Sequence, residues 1–254
     1  MGQAYGAAHE PLLRTPRARC GYGRAVHDEA AGDQPEHDEA RADVGVGPWP
    51  GGPAAWPRDA TGELDSRYDP DLLRHGDRRN VVDRYRYWTV DAVVADLDTR
   101  RHPFHVAIEN WQHDLNIGSV VRTANAFNAA AVHVVGRRRW NRRGAMVTDR
   151  YQHVLHHPSV DDLVAWAATA GPDGGALPVV GIDNLPGSTP IEGARLPRSC
   201  VLMFGQESVG LSGAARDAAG TVLHITQYGS TRSINASAAA AIAMHAWLTQ
   251  HAGR

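Results

Sequence analysis

The sequence predicts an α/β domain with a mostly parallel sheet and helices on both of its faces. Two observations predict it. From about residue 101 onward, short apolar runs typical of buried strands alternate with stretches that have the period of amphipathic helices. Polar segments containing glycine follow several of these runs, where a parallel sheet would place its ligand-binding edge.

The predicted elements follow one another in chain order. Strands are predicted over Phe104–Glu109, Ala131–Val135, Leu177–Ile182, Cys200–Phe204 and Thr221–Ile225. Helices are predicted over Ile117–Asn128, Asp161–Ala170, Leu211–Ala218 and Ile234–Gln250. These elements make up one domain, residues 101–254.

Two regions of different composition precede this domain. Residues 1–65 are rich in Gly, Ala, Pro and charged residues and have no helical or strand period, which predicts disorder. Residues 66–100 predict a helical extension, because Asp69 followed by Pro70 is a typical helix start. Apolar residues after it indicate two short amphipathic helices between Asp69 and Leu97.

Composition excludes several classes of protein. The chain has two cysteines, Cys20 and Cys200, and neither has the spacing of a metal ligand. We expect no disulfide and no bound metal, and a reducing, cytoplasmic location. No apolar leader is visible, and the longest apolar stretch, residues 236–246, is too short to cross a bilayer. The 14 histidines form no metal pattern, and His156-His157 is expected to be a surface pair.

Charge is distributed unevenly along the chain. All 26 basic residues are arginine, whose planar guanidinium suits contacts with phosphates and bases. The net charge is −2, of which residues 1–66 contribute −5 and the remainder +3. The predicted domain is therefore compatible with a nucleic-acid partner.

Three segments at predicted strand ends contain most of the candidate chemistry. They are Asn116–Thr123, Phe204–Ser212 and Ile225–Asn235. Glycines in each allow close approach of the backbone to a ligand, and Asn, Ser, Arg and Glu supply polar groups. The chain lacks both a G-x-G-x-x-G segment after the first strand and a P-loop, which disfavours an ordinary dinucleotide-binding domain.

In order and spacing, the three segments resemble motifs 1, 2 and 3 of the SpoU (TrmH-like) family of RNA 2′-O-ribose methyltransferases, in the SPOUT superfamily. The resemblance spans Phe104 to His251, a length typical of one domain. It implies a SpoU methyltransferase catalytic domain with a C-terminal deep trefoil knot. It also implies S-adenosyl-L-methionine as cofactor, RNA as substrate and a homodimer.

The resemblance assigns catalytic roles to residues in all three segments: Arg122, Asn116, Glu207, Ser233 and Asn235. Arg122 matches the residue at the reacting hydroxyl in the family. A guanidinium holds its proton too tightly to act readily as a base, so gripping a phosphate or lowering the pKa of the hydroxyl is physically easier. For Asn116, the equal alternative to a catalytic role is capping of the following helix. For Glu207, the alternative is a purely structural role in its loop.

The resemblance places the cofactor pocket at five positions: Ile182, Asp183, Gly205, Ile225 and Ile234. Each isoleucine taken alone would be interpreted as core packing. Motif 3 departs from many family members, because it reads Gln227-Tyr228-Gly229-Ser230-Thr231-Arg232 where they begin with a proline and a methionine. That departure leaves the identity of the RNA open.

An arginine-rich loop after the second predicted strand indicates RNA contact. Its residues are Arg137, Arg138, Arg139, Trp140, Arg142 and Arg143. Arginines flanking a tryptophan suit phosphate contact combined with base stacking. The alternative is a solvated run of charge.

The sequence therefore predicts an S-adenosylmethionine-dependent methyltransferase that modifies a ribose 2′-hydroxyl of structured RNA, with a tRNA guanosine as the first substrate. A ribosomal RNA methyltransferase and a catalytically silent RNA-binding SPOUT module are the alternatives. The silent module is disfavoured because the chain retains all five candidate catalytic residues: Asn116, Arg122, Glu207, Ser233 and Asn235. No membrane partner is expected.

Overall fold

A sheet of parallel strands organises the chain, as the sequence predicts. The computed structural model describes residues 45–110, 116–206 and 209–253. Within them the strands are β1 His102–Asn110, β2 Ala129–Gly136, β3 Val154–His157, β4 Val179–Ile182, β5 Thr189–Pro190, β6 Cys200–Phe204 and β7 Thr221–His224. Their order across the sheet is β3-β2-β1-β6-β4-β7-β5, and all neighbouring pairs are parallel.

The helices match the predicted ones with small changes at their ends. They are α1 Pro70–His75, α2 Val90–Asp98, α3 Ile117–Ala126, α4 Val160–Ala167, α5 Gly213–Ala218 and α6 Ala236–His251. The predicted pair of short extension helices corresponds to α1 and α2. Within the described ranges, no helix is both long enough and apolar enough to span a bilayer.

Side-chain caps explain where most of these helices begin. Asp69 accepts hydrogen bonds from the backbone of α1, Thr89 caps α2, and Ser159 and Ser212 cap α4 and α5. Asn235 caps α6 through the amides of residues 237 and 238. Each cap satisfies amides that have no partner inside the helix, which typically stabilises it by about 1 kcal/mol.

Alternate residues of the central strands fill two cores, one on each face of the sheet. On β1, Phe104, Val106 and Ile108 belong to the core formed with α3 and α6. Ala107 belongs to the core on the other face, formed with α4 and α5. The strand period of two thus produces three layers, with the sheet between two layers of helices.

Residues 45–65 are ordered, which corrects the predicted disorder for this part of residues 1–65, whereas residues 1–44 lie outside the described residues. Trp49 packs edge-on against Tyr68 and Tyr87, with ring centroids 5.9 and 5.2 Å apart, and its indole N–H donates to Ala55 O at 3.0 Å. The Tyr87 hydroxyl donates to Gly47 O at 2.6 Å. These contacts are made by isolated aromatic residues, so they produce no repeating hydrophobic pattern in the sequence.

The helical extension is fixed to the α/β domain through its own small core. Tyr85, Val93 and Leu97 are buried together with Tyr151, which lies beyond β2. Arg101 strengthens this junction, because its guanidinium donates to Tyr151 O at 2.8 Å and to Gln152 Oε1 at 3.0 Å. The extension is therefore an integral part of the folded unit.

Three histidines on neighbouring strands form a hydrogen-bonded row beneath α4. His105 Nδ1 lies 3.0 Å from His133 Nε2, and His133 Nδ1 lies 2.8 Å from His157 Nε2. The ring of Trp166 covers the row, 4.2 Å from the His133 ring. His157 is buried, so the expected surface pair is wrong for this residue. Its burial is stabilised by His133, which lies far away in sequence.

Burial holds the pKa values of these histidines low. Desolvation lowers the pKa of His105 to about 4 and that of His133 to about 2, the latter helped by its histidine neighbours. The pKa of His157 is also lowered by burial. The three imidazoles are therefore neutral at physiological pH, and each can donate through one nitrogen and accept through the other.

We predict that the protein loses stability as the pH falls below about 6.5. In that range His105 and His133 bind protons in the unfolded chain but stay neutral in the folded protein. The free energy of unfolding therefore decreases by about 1.4 kcal/mol per pH unit for each histidine. Urea unfolding between pH 7.5 and 4.5 measures the slope. His105→Gln and His133→Gln should each reduce it by about one proton. Equal slopes in all three proteins would contradict the role of the row.

Candidate functional site

The carboxyl ends of β4, β6 and β7 open onto one cleft of about 320 Å³. The structure brings together there all five residues predicted for the cofactor pocket, namely Ile182, Asp183, Gly205, Ile225 and Ile234. The cleft also contains polar residues that the sequence analysis did not assign to the pocket: Asn184, Gln206, Gln227 and Arg232. Parallel strands place these chain segments at one edge of the sheet.

A tight loop after β6 forms one wall of the cleft. Gln206 and Gly210 close the loop through two backbone hydrogen bonds, of 3.1 and 2.9 Å. Gly210 has a φ of +68°, a conformation that favours glycine. A Cβ on Gly205 would lie 1.9 Å from the carbonyl carbon of Gly210, so a residue with a side chain cannot occupy position 205 without moving the loop.

Asp183 anchors this loop from the neighbouring strand end. Its carboxylate accepts a hydrogen bond from the amide of Leu211 at 2.8 Å, and its own amide donates to Leu223 O at 2.9 Å. A Cβ on Gly210 would lie 2.3 Å from Asp183 Oδ2. The predicted cofactor-binding residue Asp183 thus lines the cleft and at the same time fixes its wall.

Motifs 1 and 3 are joined by a direct side-chain contact. Asn235 Nδ2 donates to Asn116 Oδ1 at 2.9 Å, while Asn235 Oδ1 accepts from the amides of Ser237 and Ala238. Asn116 stands at the start of α3 but makes no side-chain capping bond there. The capping alternative for Asn116 is therefore wrong, because its amide oxygen is directed to Asn235.

Side-chain contacts fix motif 3 at both of its ends. Thr226 donates through its amide to Glu192 Oε1 at 2.9 Å and through its hydroxyl to Glu192 Oε2 at 3.0 Å. Further along, Asn184 Nδ2 donates to Arg232 O at 3.2 Å. Both contacts hold motif 3 along the rim of the cleft.

Of the five predicted catalytic residues, Ser233 alone lines this cleft among the described residues. Arg122, Asn116 and Asn235 are described but do not line it. Arg122 is exposed on α3 and lines a second cavity beside the helical extension. Glu207 lies outside the described residues. The structure of one chain therefore does not bring Arg122 to the cleft of that chain.

The arginine-rich loop is held in place by the end of β1. Asn110 Nδ2 donates to Arg137 O at 2.7 Å and to Arg139 O at 3.0 Å. All five arginines of the loop are exposed, but Arg142 pairs with Asp149 at 3.0 Å. Trp140 is half-buried against the core, and the Arg142 guanidinium lies 5.5 Å from the centroid of its ring. The loop thus presents its charges outward, whereas only part of the tryptophan is accessible.

The cleft includes a buried polar atom that a bound organic ligand could satisfy. In the part of the chain that the structure describes, no group of three or more His, Cys, Asp or Glu side chains could hold a metal. The Oε1 atom of Gln227 is buried at the cleft and has no hydrogen-bond partner among the described residues. A ligand N–H or O–H group could satisfy it.

Comparison with known proteins identifies related sequences. Residues 103–245 match the SpoU rRNA Methylase family, which is more than half of the chain. A protein of Mycolicibacterium vanbaalenii named as an uncharacterized tRNA/rRNA methyltransferase is 28% identical over 184 residues, covering 64% of this chain and 52% of that protein. The chain thus spans about half the length of this curated relative.

Solved structures agree with the sequence match. The SpoU methyltransferase AviRb from Streptomyces viridochromogenes, in complex with AdoMet, has a TM-score of 0.54 at 25% identity, covering 61% of this chain and 60% of AviRb. The A. aeolicus TrmH/SpoU tRNA modifying enzyme has a TM-score of 0.55 at 18% identity, covering 63% of this chain and 81% of that enzyme. The second likeness shows the fold alone.

We predict that Gly205→Ala opens or unfolds the loop after β6. The added methyl group would overlap backbone atoms that cannot rotate away, so we expect the free energy of unfolding to fall by about 3 kcal/mol. Gly213→Ala is the matched control, because nothing lies within 4 Å of a Cβ at that position. Urea unfolding of both variants measures the difference. Equal stability of the two would show that the close approach is unimportant.

Proposed function

The chain belongs to the SpoU rRNA methylase family, as its three segments predict, and we propose that it methylates ribose 2′-hydroxyls of structured RNA with S-adenosylmethionine. The observation that carries the proposal is the cleft at the ends of β4, β6 and β7. Residues predicted for the cofactor meet there beneath a loop closed by Gln206 and Gly210. A tRNA guanosine is the first substrate we propose, and ribosomal RNA is the alternative.

The residues of the cleft fit S-adenosylmethionine. Ile182, Ile225 and Ile234 provide apolar surface for a flat base, and the volume of about 320 Å³ lies within the usual range of ligand pockets. The buried Gln227 oxygen can accept a hydrogen bond from an amine or hydroxyl of the ligand. When bound, S-adenosylmethionine supplies an electrophilic methyl group for transfer to the ribose oxygen, which loses its proton.

Arg122 is the residue we propose at the reacting hydroxyl. Its guanidinium can grip the adjoining phosphate and lower the pKa of the hydroxyl by its positive charge. Because Arg122 does not line the cleft of its own chain, we propose a homodimer in which it serves the cleft of the partner subunit. A dimer with twofold symmetry then contains two equivalent composite sites.

Three further proposals come from the family. The segment after β6 and motif 3 are proposed to form the deep trefoil knot; the strand order supports this, since β6 lies between β1 and β4. Asn116 and Asn235 are proposed to fix motif 1 relative to motif 3 through their 2.9 Å contact. Ser233 and Glu207 are proposed as further catalytic residues.

The direct test of the proposed function measures methyl transfer and its position. The purified protein is incubated with radiolabelled S-adenosylmethionine and unmodified tRNA or ribosomal RNA, and the product is digested to nucleosides. We expect 2′-O-methylated nucleosides, with the label in tRNA. Binding of S-adenosylhomocysteine without any transfer would favour the silent RNA-binding module, and label on a base would refute ribose as the acceptor.

We predict that Arg122→Ala abolishes methyl transfer while affinity for S-adenosylhomocysteine stays within about twofold of wild type, since the lost interaction belongs to the transition state. A variant with a blocked cleft, Ile234→Arg, should lose binding of this product. Mixing the two should restore about a quarter of the wild-type rate, because half of the dimers are mixed and each has one complete site. No recovery would contradict action of Arg122 across the interface.

We predict that the exposed arginines of the loop after β2 contact RNA phosphates. Changing Arg138 and Arg139 together to Ala should flatten the dependence of RNA affinity on salt, because each lost phosphate contact removes about one unit of slope. Arg142 is the internal comparison, since its charge is already shared with Asp149 at 3.0 Å and Arg142→Ala should change the slope less. An unchanged slope in the double variant would identify the loop as a solvated run of charge.

A further inference from the structure

A second cavity, of about 560 Å³, lies between the helical extension and α3. One side is built from residues 80–100, which precede the residues matched by the family, and the other from α3 and the chain after it. Arg122 lines it. Its chemistry comes from a few residues: Arg84, Tyr85, Arg100, Asn125 and Asn128. The proposed function uses Arg122 and leaves the other residues of this cavity without a role.

Two side-chain oxygens on the α3 side are buried without a partner. They are Asn125 Oδ1 and Asn128 Oδ1, and neither has a hydrogen-bond partner in the described chain. For Asn128 the orientation of the amide is fixed, because its nitrogen donates to Arg100 O at 2.9 Å. Buried polar atoms are nearly always hydrogen-bonded, so unsatisfied acceptors on two residues that line one cavity indicate a ligand that donates N–H or O–H groups.

The opposite side of the cavity contributes positive charge. Arg84 and Arg100 both contact the carboxylate of Asp96, at 2.6 and 3.2 Å, and both contact the Tyr85 hydroxyl. Two guanidinium groups thus share one carboxylate, and Arg122 adds a third positive charge. The cavity therefore combines a positive wall, suited to an anion, with hydrogen-bond acceptors on the wall of α3.

We propose that this cavity binds one nucleotide of the RNA substrate, with the phosphate facing the arginines and N–H groups of the base donating to Asn125 and Asn128. A nucleotide has both chemistries, a phosphate and a base edge with donors, and the volume suits it. The inference rests on the proposed function and deepens it. It gives the helical extension a role in choosing the nucleotide to be modified.

The experiment separates the two halves of the proposed recognition. Nuclear magnetic resonance titrations follow the side-chain amide signals of Asn125 and Asn128 as the four ribonucleoside 5′-monophosphates or ribose 5-phosphate are added. We expect at least one monophosphate to shift both amide signals and to bind about tenfold more tightly than ribose 5-phosphate, since two hydrogen bonds are gained. Equal affinity for all five probes would overturn recognition of the base.

Matched variants assign each contact. Asn125→Ala should weaken the best nucleotide about fivefold and leave ribose 5-phosphate unchanged. Arg84→Gln should weaken both probes about threefold, as expected for an exposed charge. Arg74→Gln is its control, because both arginines are 52% exposed and paired with an aspartate, but Arg74 lies outside the cavity. Equal effects of the two arginine variants would overturn the phosphate contact.

Two more measurements complete the test. Unfractionated tRNA at micromolar concentration should displace the monophosphate, whereas failure to displace it would show a site for free nucleotides and overturn the link to RNA. S-adenosylhomocysteine is titrated in parallel and should bind the wild type and every variant equally. If it binds and no nucleotide shifts the amide signals, the inference fails and the proposed function stands. If it does not bind the wild type, the proposed function fails first.

Discussion

The rest of the site depends on one constraint, the close contact between the backbones of Gly205 and Gly210. The two segments lie so close that a Cβ at position 205 would fall 1.9 Å from a backbone atom. This contact turns the chain back at the end of β6, so that the amide of Leu211 reaches the carboxylate of Asp183. The ends of β4 and β6 are thereby tied together, and the cleft exists because the loop cannot relax away from them.

A second set of polar contacts fixes the starts of the helices relative to the strands and to one another. Buried Glu109, at the end of β1, accepts a hydrogen bond from the amide of Ser212 at 2.8 Å, and Ser212 in turn caps α5. The contact between Asn116 and Asn235 does the same for α3 and α6. Both use charged or amide side chains at strand or helix ends, where backbone groups lack partners. The motifs that resemble a family signature therefore also contain contacts that connect the secondary-structure elements.

Sequence reasoning found what local pattern and parallel topology determine. Sequence reasoning grouped residues such as Ile182 and Ile225 through the resemblance to the family, and parallel topology explains why these strand ends meet at one edge. It did not find β3, because His156 and His157 look polar, and the burial of His157 depends on a bond to His133 on another strand. The order around Trp49 depends likewise on rings 19 and 38 residues away, which leave no period in the sequence. The cavity beside α3 needs the extension docked, which composition cannot reveal.

The division of polar chemistry between two cavities has a consequence for assembly. The cleft beneath the Gly205 loop contains apolar surface and few charges, whereas the cavity at Arg122 contains three guanidinium groups. Methyl transfer requires the reacting atoms to be in contact, about 3 Å apart. If Arg122 contacts the acceptor ribose, a single chain holds the methyl donor and the acceptor in separate places. The homodimer that we propose would resolve this by placing the acceptor cavity of one subunit against the donor cleft of the other, and the extension would then select the nucleotide that enters the composite site.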